Sequence, residues 1–424
     1  MLDRDESSEA LRLDAADPLP SRRDDFVVPP WPGGRYAEWA YFAGNSLGLM
    51  PRKARAALEV SLAQWGSHAV EGWFEGVEPW LELAGSTRAS IARLVGADEM
   101  EVVAMNTLTV NLHLLLATFY RPAGHRHRIL IEDSAFPSDS HAVRSQAALH
   151  GHDPSTAIVR LQPRAGETTL RTDDVVDAIE REGDRLALVL LGAVNYLTGE
   201  VLDTRAITEA THAAGAVSGW DLAHAIGNVP AELHDIGADF AVWCHYKYVN
   251  AGPGAPGGAF VHARHFSGAA PLRAAGWWGV DPAERFRMEP EFVPRAGAEG
   301  WAVSTPTILA FAPLRASLDL FDEVGLRALR ERSIRLTGYL ETLLDEVAGR
   351  RTMSVTTSRD PARRGCQLSV SADGAGALAS RLRHEHGVVC DFREPDVLRL
   401  APVPLYSTFH DCWRAATALD DVLA

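Results

Sequence analysis

Cysteine is scarce in this chain: Cys244, Cys366, Cys390 and Cys412 are the four among 424 residues, far apart and without a CxxC pair. That excludes a disulfide scaffold and a zinc-ribbon or dithiol motif, and leaves four reduced thiols, mostly of the core. Long apolar runs are missing too. The longest, Leu186 to Val194, falls far short of the ~20 residues a membrane-spanning helix needs. No membrane partner is therefore expected, and the acidic start MLDRDESSEALRLDAADPLP lacks the basic-then-apolar order of a signal peptide. A cytoplasmic location follows as the expectation. Basic charge is in deficit as well: 41 Lys and Arg against 56 Asp and Glu give a net charge of −15. Such a surface releases few counterions from a nucleic acid, so nucleic acid is a poor partner, and an anionic membrane repels it. Repeats, heptads and low-complexity stretches are absent from the sequence. The pairs His125/His127 and His384/His386 have no further ligand at metal spacing and read as solvated histidines, so no metal is expected.

What the chain does have is material for a large core, with 46% hydrophobic and 23% charged residues. Apolar β-branched runs alternate with amphipathic helical patterns through its middle, which predicts parallel βαβ units. Strands are expected at Arg128 to Glu132, Leu186 to Gly192, Ala216 to Asp221, Phe240 to Cys244 and Gly258 to His262. Helices are expected at Thr172 to Glu182 and at Thr204 to Ala214, the second stopped by Gly215. After Pro306 two long helical stretches, Thr307 to Phe321 and Leu326 to Val347, lead to short strands around Cys366 to Ser371 and Val397 to Ala401. The expected organisation is an α/β protein: an N-terminal segment (1–55) packing with a small domain, a large domain (56–310), and a small α+β C-terminal domain (311–424).

In open α/β sheets ligands lie beyond the carboxyl ends of the strands, so chemistry is sought in the loops there. Four loops qualify. Asn106-Thr107-Leu108-Thr109 opens a helix, where unpaired N–H groups and the helix dipole suit a phosphate, although an ordinary threonine cap is the plainer reading of that turn alone. Phe136, Pro137, Ser138 and Asp139 put an aromatic face beside a carboxylate, or merely cap a helix. Asp221, with His224 following, closes an apolar strand, and an acid there can keep a pyridine nitrogen protonated. Lys247 stands between Tyr246 and Tyr248 after an apolar strand and before the Gly/Pro run AGPGAPGG, an unusual setting for a residue that is normally solvated. Desolvation favours the neutral, nucleophilic amine that bonds an aldehyde. A phosphate cup, an aromatic plane, an acid for a ring nitrogen and a lysine nucleophile are together the parts of a pyridoxal 5′-phosphate (PLP) site. No one of them decides; the set does.

Several strings go further. YFAGNSLGL (41–49), NTLTVNLHLLL (106–116), AFPSD (135–139), DLAHAIGNV (221–229), HYKYVNAGPG (245–254), GWWG (276–279) and LRLAPVPLYSTFHD (398–411) resemble the kynureninase family, fold-type I PLP enzymes related to aspartate aminotransferase. The likeness runs from about residue 35 to the C-terminus. It implies the fold-type I PLP-dependent transferase fold, a large domain with a mainly parallel sheet flanked by helices plus the smaller domain. It further implies hydrolysis of kynurenine, or of 3-hydroxykynurenine, to the anthranilate and alanine. By position, Lys247 matches the cofactor-bonding lysine, Asp221 the partner of the ring nitrogen, and Phe136 the residue stacked on the ring. Leu108, Thr109 and Tyr246 match the phosphate contacts, with Tyr246 also a proton carrier, and His224 and Asp139 match further cofactor contacts. Trp277 and Thr305 match residues that reach the phosphate from a second subunit, which implies a homodimer with shared active sites. Arg399 matches the arginine that grips the α-carboxylate, near Asn45 and Ser46. Trp73, Ser304 and Thr305 fall where the family sets the choice between the two substrates: tryptophan and threonine accompany preference for kynurenine, histidine and asparagine for the hydroxylated form.

Two positions depart from the pattern. Gly192 stands where some relatives offer the cofactor a hydroxyl, leaving Asn195 as a possible substitute, and Val280 follows GWWG where histidine is expected. A cysteine desulfurase or an aminotransferase is the competing enzyme reading, but no cysteine lies in a loop resembling a desulfurase's. A non-catalytic scaffold would require loss of Lys247, Asp221 or Arg399, and all three are present.

Overall fold

The structure is a computed structural model that describes residues 4–266 and 272–424. Its centre is a seven-stranded sheet. In chain order the strands are β1 (Val102–Met105), β2 (Arg128–Glu132), β3 (Ile158–Leu161), β4 (Leu186–Gly192), β5 (Val217–Asp221), β6 (Phe240–Cys244) and β7 (Gly257–Val261). Their spatial order is β1-β7-β6-β5-β4-β2-β3. Strands β2 to β6 pair in parallel, whereas β7 runs antiparallel to both β6 and β1.

The sequence pattern anticipates β2, β4 and β6 at their observed ends, and β5 and β7 to within one residue. Direction is the exception. A parallel β7 is what the βαβ alternation predicts, but the segment between Cys244 and Gly257 contains no helix. A parallel crossover is usually helical, and this connection, broken by the Gly/Pro run AGPGAPGG, forms no helix and returns the chain antiparallel. Strands β1 and β3 escape the periodicity because each has only four residues, and β3 is a partly exposed edge. The inner strands β4 and β6 are buried on both faces, as the continuous apolar runs require.

Helix Thr172–Glu182 has its predicted bounds, and Thr204–Ala213 stops before Gly215, whose φ of 72° is a left-handed turn that suits glycine. Two long helices, Ile308–Val324 and Leu326–Ala348, precede a four-stranded antiparallel sheet ordered Ser354–Val355, Leu368–Ser371, Val397–Leu400, Asp391–Arg393. The beginning of the chain is tied to this part. Ala40–Tyr41 pairs in parallel with Val388–Val389, and Ala10, Ala40 and Phe42 share a core with Leu336, Val370 and Trp413. Asp14 accepts the backbone N–H groups of Phe409 and His410 at 2.7 and 3.0 Å, capping the last helix. Asp17 accepts from Arg332 Nε and Arg335 Nη2, both at 2.7 Å. Among the described residues no helix is long and apolar enough to cross a membrane.

Because β2, β4, β5 and β6 are parallel and adjacent, their carboxyl ends bring Glu132, Gly192, Asp221 and the loop bearing Lys247 to one edge of the sheet.

Candidate active site

At that edge lies a cavity lined by Leu108, Thr109, Phe136, Ser138, Asp139, Asp221, His224, Tyr246 and Lys247, joined by Glu132, Asn195 and Tyr196. Lys247 is half-buried. Its Nζ is 3.0 Å from His224 Nε2, and 5.8 and 6.0 Å from the ring centroids of Phe136 and Tyr246. Burial, followed by the Lys247 and Arg399 charges, pushes the His224 imidazole well below its ordinary pKa, so the ring is neutral and Nε2 accepts from the lysine. Nδ1 then carries the ring proton, yet it has no protein partner.

Three buried carboxyl groups line the same cavity. Asp221 accepts the Ala223 N–H at 2.6 Å and shares a hydrogen bond with Asp139. Glu132 accepts from Asn195 Nδ2 at 2.6 Å and from the Gly192 N–H at 3.3 Å. Burial raises all three pKa values. Asp139 rises furthest, because the Asp221 charge adds to its burial, and its Oδ1 has no partner. The proton between Asp139 and Asp221 belongs to the pair.

The anion-binding end is built by the helix Leu108–Phe119. Asn106 turns the chain at φ 43° and donates from Nδ2 to Asn111 Oδ1 at 3.0 Å, while Thr107 caps the helix without a side-chain bond. The first amides therefore lack intrahelical acceptors and point outward. Strand β7 lies tight against this end: a Cβ at Gly257 would stand 2.9 Å from the Leu108 nitrogen. The hydroxyls of Thr109 and Ser138 meet at 2.6 Å beside these amides. Pro137 opens the next helix, Pro137–Leu149, at the position where its missing N–H costs nothing, and so turns Phe136, Ser138 and Asp139 toward the cavity. Amides and hydroxyls at a helix N-terminus, a 43% exposed phenyl face, partnerless polar atoms on His224 and Asp139, and buried acids at the far end fit a flat aromatic ring with an anionic tail.

The remaining predicted residues stand outside this lining. Arg399 is buried, its Nε and Nη2 both on Asp391, its Nη1 on the Tyr196 carbonyl at 2.7 Å and its Nη2 also on Ser46 Oγ at 3.0 Å. Asn45 donates to Gln367 at 2.9 Å. Trp73 packs edge-on against Trp80, and its ring lies 5.8 Å from that of Trp278. Trp277 is 42% exposed and donates to the Arg285 carbonyl, and Ser304 and Thr305 are exposed. Asn195 does line the cavity, but its amide is committed: Nδ2 serves Glu132, and Oδ1 accepts from Leu197 and Thr198, both at 2.9 Å.

Sequence reasoning passed over Glu132 and Tyr196. Glu132 carried the same signal as Asp221, an acid ending an apolar strand, whereas nothing in Asn195-Tyr196 marks a cavity wall. It also passed over Glu101, His234 and His262, which stand at metal-ligand spacing. Both Glu101 oxygens there accept backbone N–H groups, and His262 Nδ1 accepts that of Arg264, so these lone pairs close a network of caps.

A family model described as the kynureninase C-terminal domain matches residues 329–419. A protein named kynureninase from Salinispora tropica is 60% identical over 416 residues, 98% of this chain and 96% of that one. Kynureninases from Koribacter versatilis (51%; 96% and 95%) and Myxococcus xanthus (50%; 98% and 97%) are similar over nearly the whole length of both chains. Among solved structures, the cystine C–S lyase C-DES in complex with its product cysteine persulfide superposes with a TM-score of 0.77 at 18% identity, covering 90% of this chain and 97% of that one. A variant of C-DES with glycine covalently linked to its PLP cofactor gives 0.76 at 19% identity, covering 90% and 96%. The cysteine desulfurase CsdA of Escherichia coli also gives 0.76, at 18% identity and 95% and 98% coverage. The α/β fold is thus the one these PLP enzymes have, and by its likeness to relatives over nearly its full length the chain belongs to the kynureninase family.

Proposed function

We propose that this chain is a PLP-dependent hydrolase of a carbon–carbon bond, which converts L-kynurenine and water to anthranilate and L-alanine and takes 3-hydroxykynurenine as a poorer substrate. The carrying observation is Lys247 Nζ at the wall of a cavity whose buried acids include Asp221, in a chain 60% identical to a kynureninase. When bound, the cofactor supplies a conjugated ring that accepts the electron pair released at the substrate's Cα.

The protein's share follows from the site. Leu108, Thr109 and Ser138 would hold the phosphate at the helix end, Phe136 would face the ring, and Asp221 would keep a proton on the ring nitrogen. Asp139, held protonated, donates to Asp221 and spreads its charge. Lys247 is the residue whose amine would hold the cofactor's aldehyde end, and as a free amine it would take the Cα proton. Burial holds the Tyr246 phenol above its usual pKa, so it stays protonated and can hand a proton to the departing alanine carbon. Arg399 orients the α-carboxylate. In the balance one water adds to the γ-carbonyl, the Cβ–Cγ bond breaks, the aryl carbon keeps the hydroxyl as a carboxylate and Cβ takes a proton.

A homodimer is part of this reading. The exposed rings of Trp277, Phe286 and Phe74 lie side by side, with Met288 also exposed, an apolar patch of the kind subunit interfaces cover. Through it the partner's copies of Trp277 and Thr305 reach the phosphate. The desulfurase alternative is not favoured: all four cysteines are buried, and such an enzyme needs an accessible thiol. The assigned work belongs to tryptophan catabolism by the kynurenine pathway, with a link to NAD biosynthesis, in the cytoplasm. The test is to load purified protein with PLP and add kynurenine. Anthranilate fluorescence is expected; none, or sulfide release from cysteine, overturns the assignment.

A further inference from the structure

Arg399 has almost no donors to spare. A guanidinium carries five N–H groups, and four of them serve Asp391 twice, Tyr196 O and Ser46 Oγ. Its charge is also matched, because Asp391 faces it in a bidentate pair that Ser46 reinforces. On its own, therefore, Arg399 presents an incoming anion with a nearly neutral ion pair. The same carboxylate serves a second cation: Arg393 Nη2 lies 3.3 Å from Asp391 Oδ2, its side chain 36% exposed, its Nη1 turned to the Phe392 carbonyl at 2.8 Å. Two guanidinium groups thus share one carboxylate, and this cluster stands against the cavity wall, because Arg399 Nη1 donates at 2.7 Å to the carbonyl of Tyr196, which lines it. Burial, followed by the Arg399 charge, lowers the Arg393 pKa, with Asp391 opposing.

We infer that Arg393 is a second substrate-binding residue, supplying the uncompensated charge that draws in the α-carboxylate while Arg399, held by Asp391 and Ser46, fixes its orientation. Asp391 is then a positioning residue that aligns both guanidiniums. This rests on the substrate class proposed above.

The test uses the PLP-loaded enzyme with kynurenine and with its carboxamide, which keeps the ring and the amine but has no carboxylate. Arg393→Met is expected to raise KM for kynurenine about tenfold, with kcat changed less than about threefold and KM for the carboxamide within about twofold. Arg393→Lys, which keeps the charge, restores most of the loss. A KM for kynurenine within about twofold of wild type overturns the inference, and so does a parallel rise for acid and amide, the signature of a structural role. Failure of the wild type to turn over kynurenine is a separate result that removes the substrate reading and this inference together. Wild-type turnover with an unaffected Arg393→Met removes this inference alone.

Discussion

Replacing Arg399 by lysine keeps the charge and removes the fork. In the native protein the guanidinium reaches in three directions at once, to Asp391, to the Tyr196 carbonyl and to Ser46 Oγ. A lysine ammonium is a single point with three donors; it can keep one oxygen of Asp391 but cannot also span to Tyr196 and Ser46 and still reach a substrate carboxylate. A hydrogen bond to a charged group contributes about 1.5 to 3 kcal/mol. Losing the bond from the one N–H that Arg399 has free therefore raises KM roughly 10- to 150-fold at about 1.4 kcal/mol per decade. The carboxylate does not change in the reaction, so the lost contact was equally strong in ground and transition states, and kcat should stay within a few-fold. Initial rates of anthranilate fluorescence over a range of kynurenine concentrations give both constants, and the visible absorption of the bound cofactor verifies that the site is loaded. A KM shift below about threefold in a folded, loaded variant would refute the reasoning and move the carboxylate to the Asn45-Ser46 loop.

Lys247→Ala should lose both turnover and the visible absorption of the lysine-bound cofactor while keeping its fold by circular dichroism; residual kcat above about a thousandth of wild type counts against a covalent role. Wild type should prefer kynurenine to 3-hydroxykynurenine about tenfold in kcat/KM, since an apolar wall strips water from the extra hydroxyl and returns nothing, and the Trp73→His/Thr305→Asn double variant should narrow that ratio. An unchanged ratio in side-by-side kinetics sinks the assignment of these two positions. Asp139 binds its proton more tightly folded than unfolded, so the cofactor-free protein should lose stability as pH rises from about 4 toward the raised pKa, and Asp139→Asn should flatten that slope in melting scans between pH 5 and 8. Asp17→Ala strands Arg332, whose side chain like that of Asp17 is 1% exposed, and should cost about 3 to 5 kcal/mol in urea unfolding; a loss under about 1 kcal/mol would show that the Pro404 and Ser407 carbonyls suffice for Arg332.

What was legible in the sequence is what local chemistry dictates. RILIE, LALVLLG and FAVWC are strands by composition alone, and parallel neighbours necessarily deliver Asp221 and Lys247 to the same edge. Glycine after Ala214 ends a helix whatever surrounds it. Contacts between distant segments were not legible. Ser46, Asp391 and Arg399 form one cluster, yet Ser46 is 345 residues from Asp391, and no periodicity links them. The direction of β7 turns on whether the Gly/Pro-rich connection before it forms a helix, and it forms none. Trp73 shows the limit of a resemblance: the residue type could be placed, but its packing on Trp80 and Trp278 is a tertiary fact.

The charges around the cavity are sorted by sign, and that sorting gives an amino acid one way in. Glu132, Asp139 and Asp221 crowd the strand ends, where burial and mutual repulsion keep protons bound, so this side is acidic without carrying three full charges. Arg399 and Arg393 stand on the side of Tyr196 and Ser46 with Asp391 between them, and there two cations meet one anion. Lys247 lies next to neutral His224. A zwitterion entering with its carboxylate toward the acids would turn its ammonium toward the two guanidinium groups and lose their pairing with the carboxylate. The opposite orientation turns both terms favourable. It would direct the amine toward Lys247. On the proposed substrate the position of the γ-carbonyl would thereby be set by two charges at the other end of the molecule, so that a carboxylate subsite remote from the bond that breaks would decide how well that bond is presented.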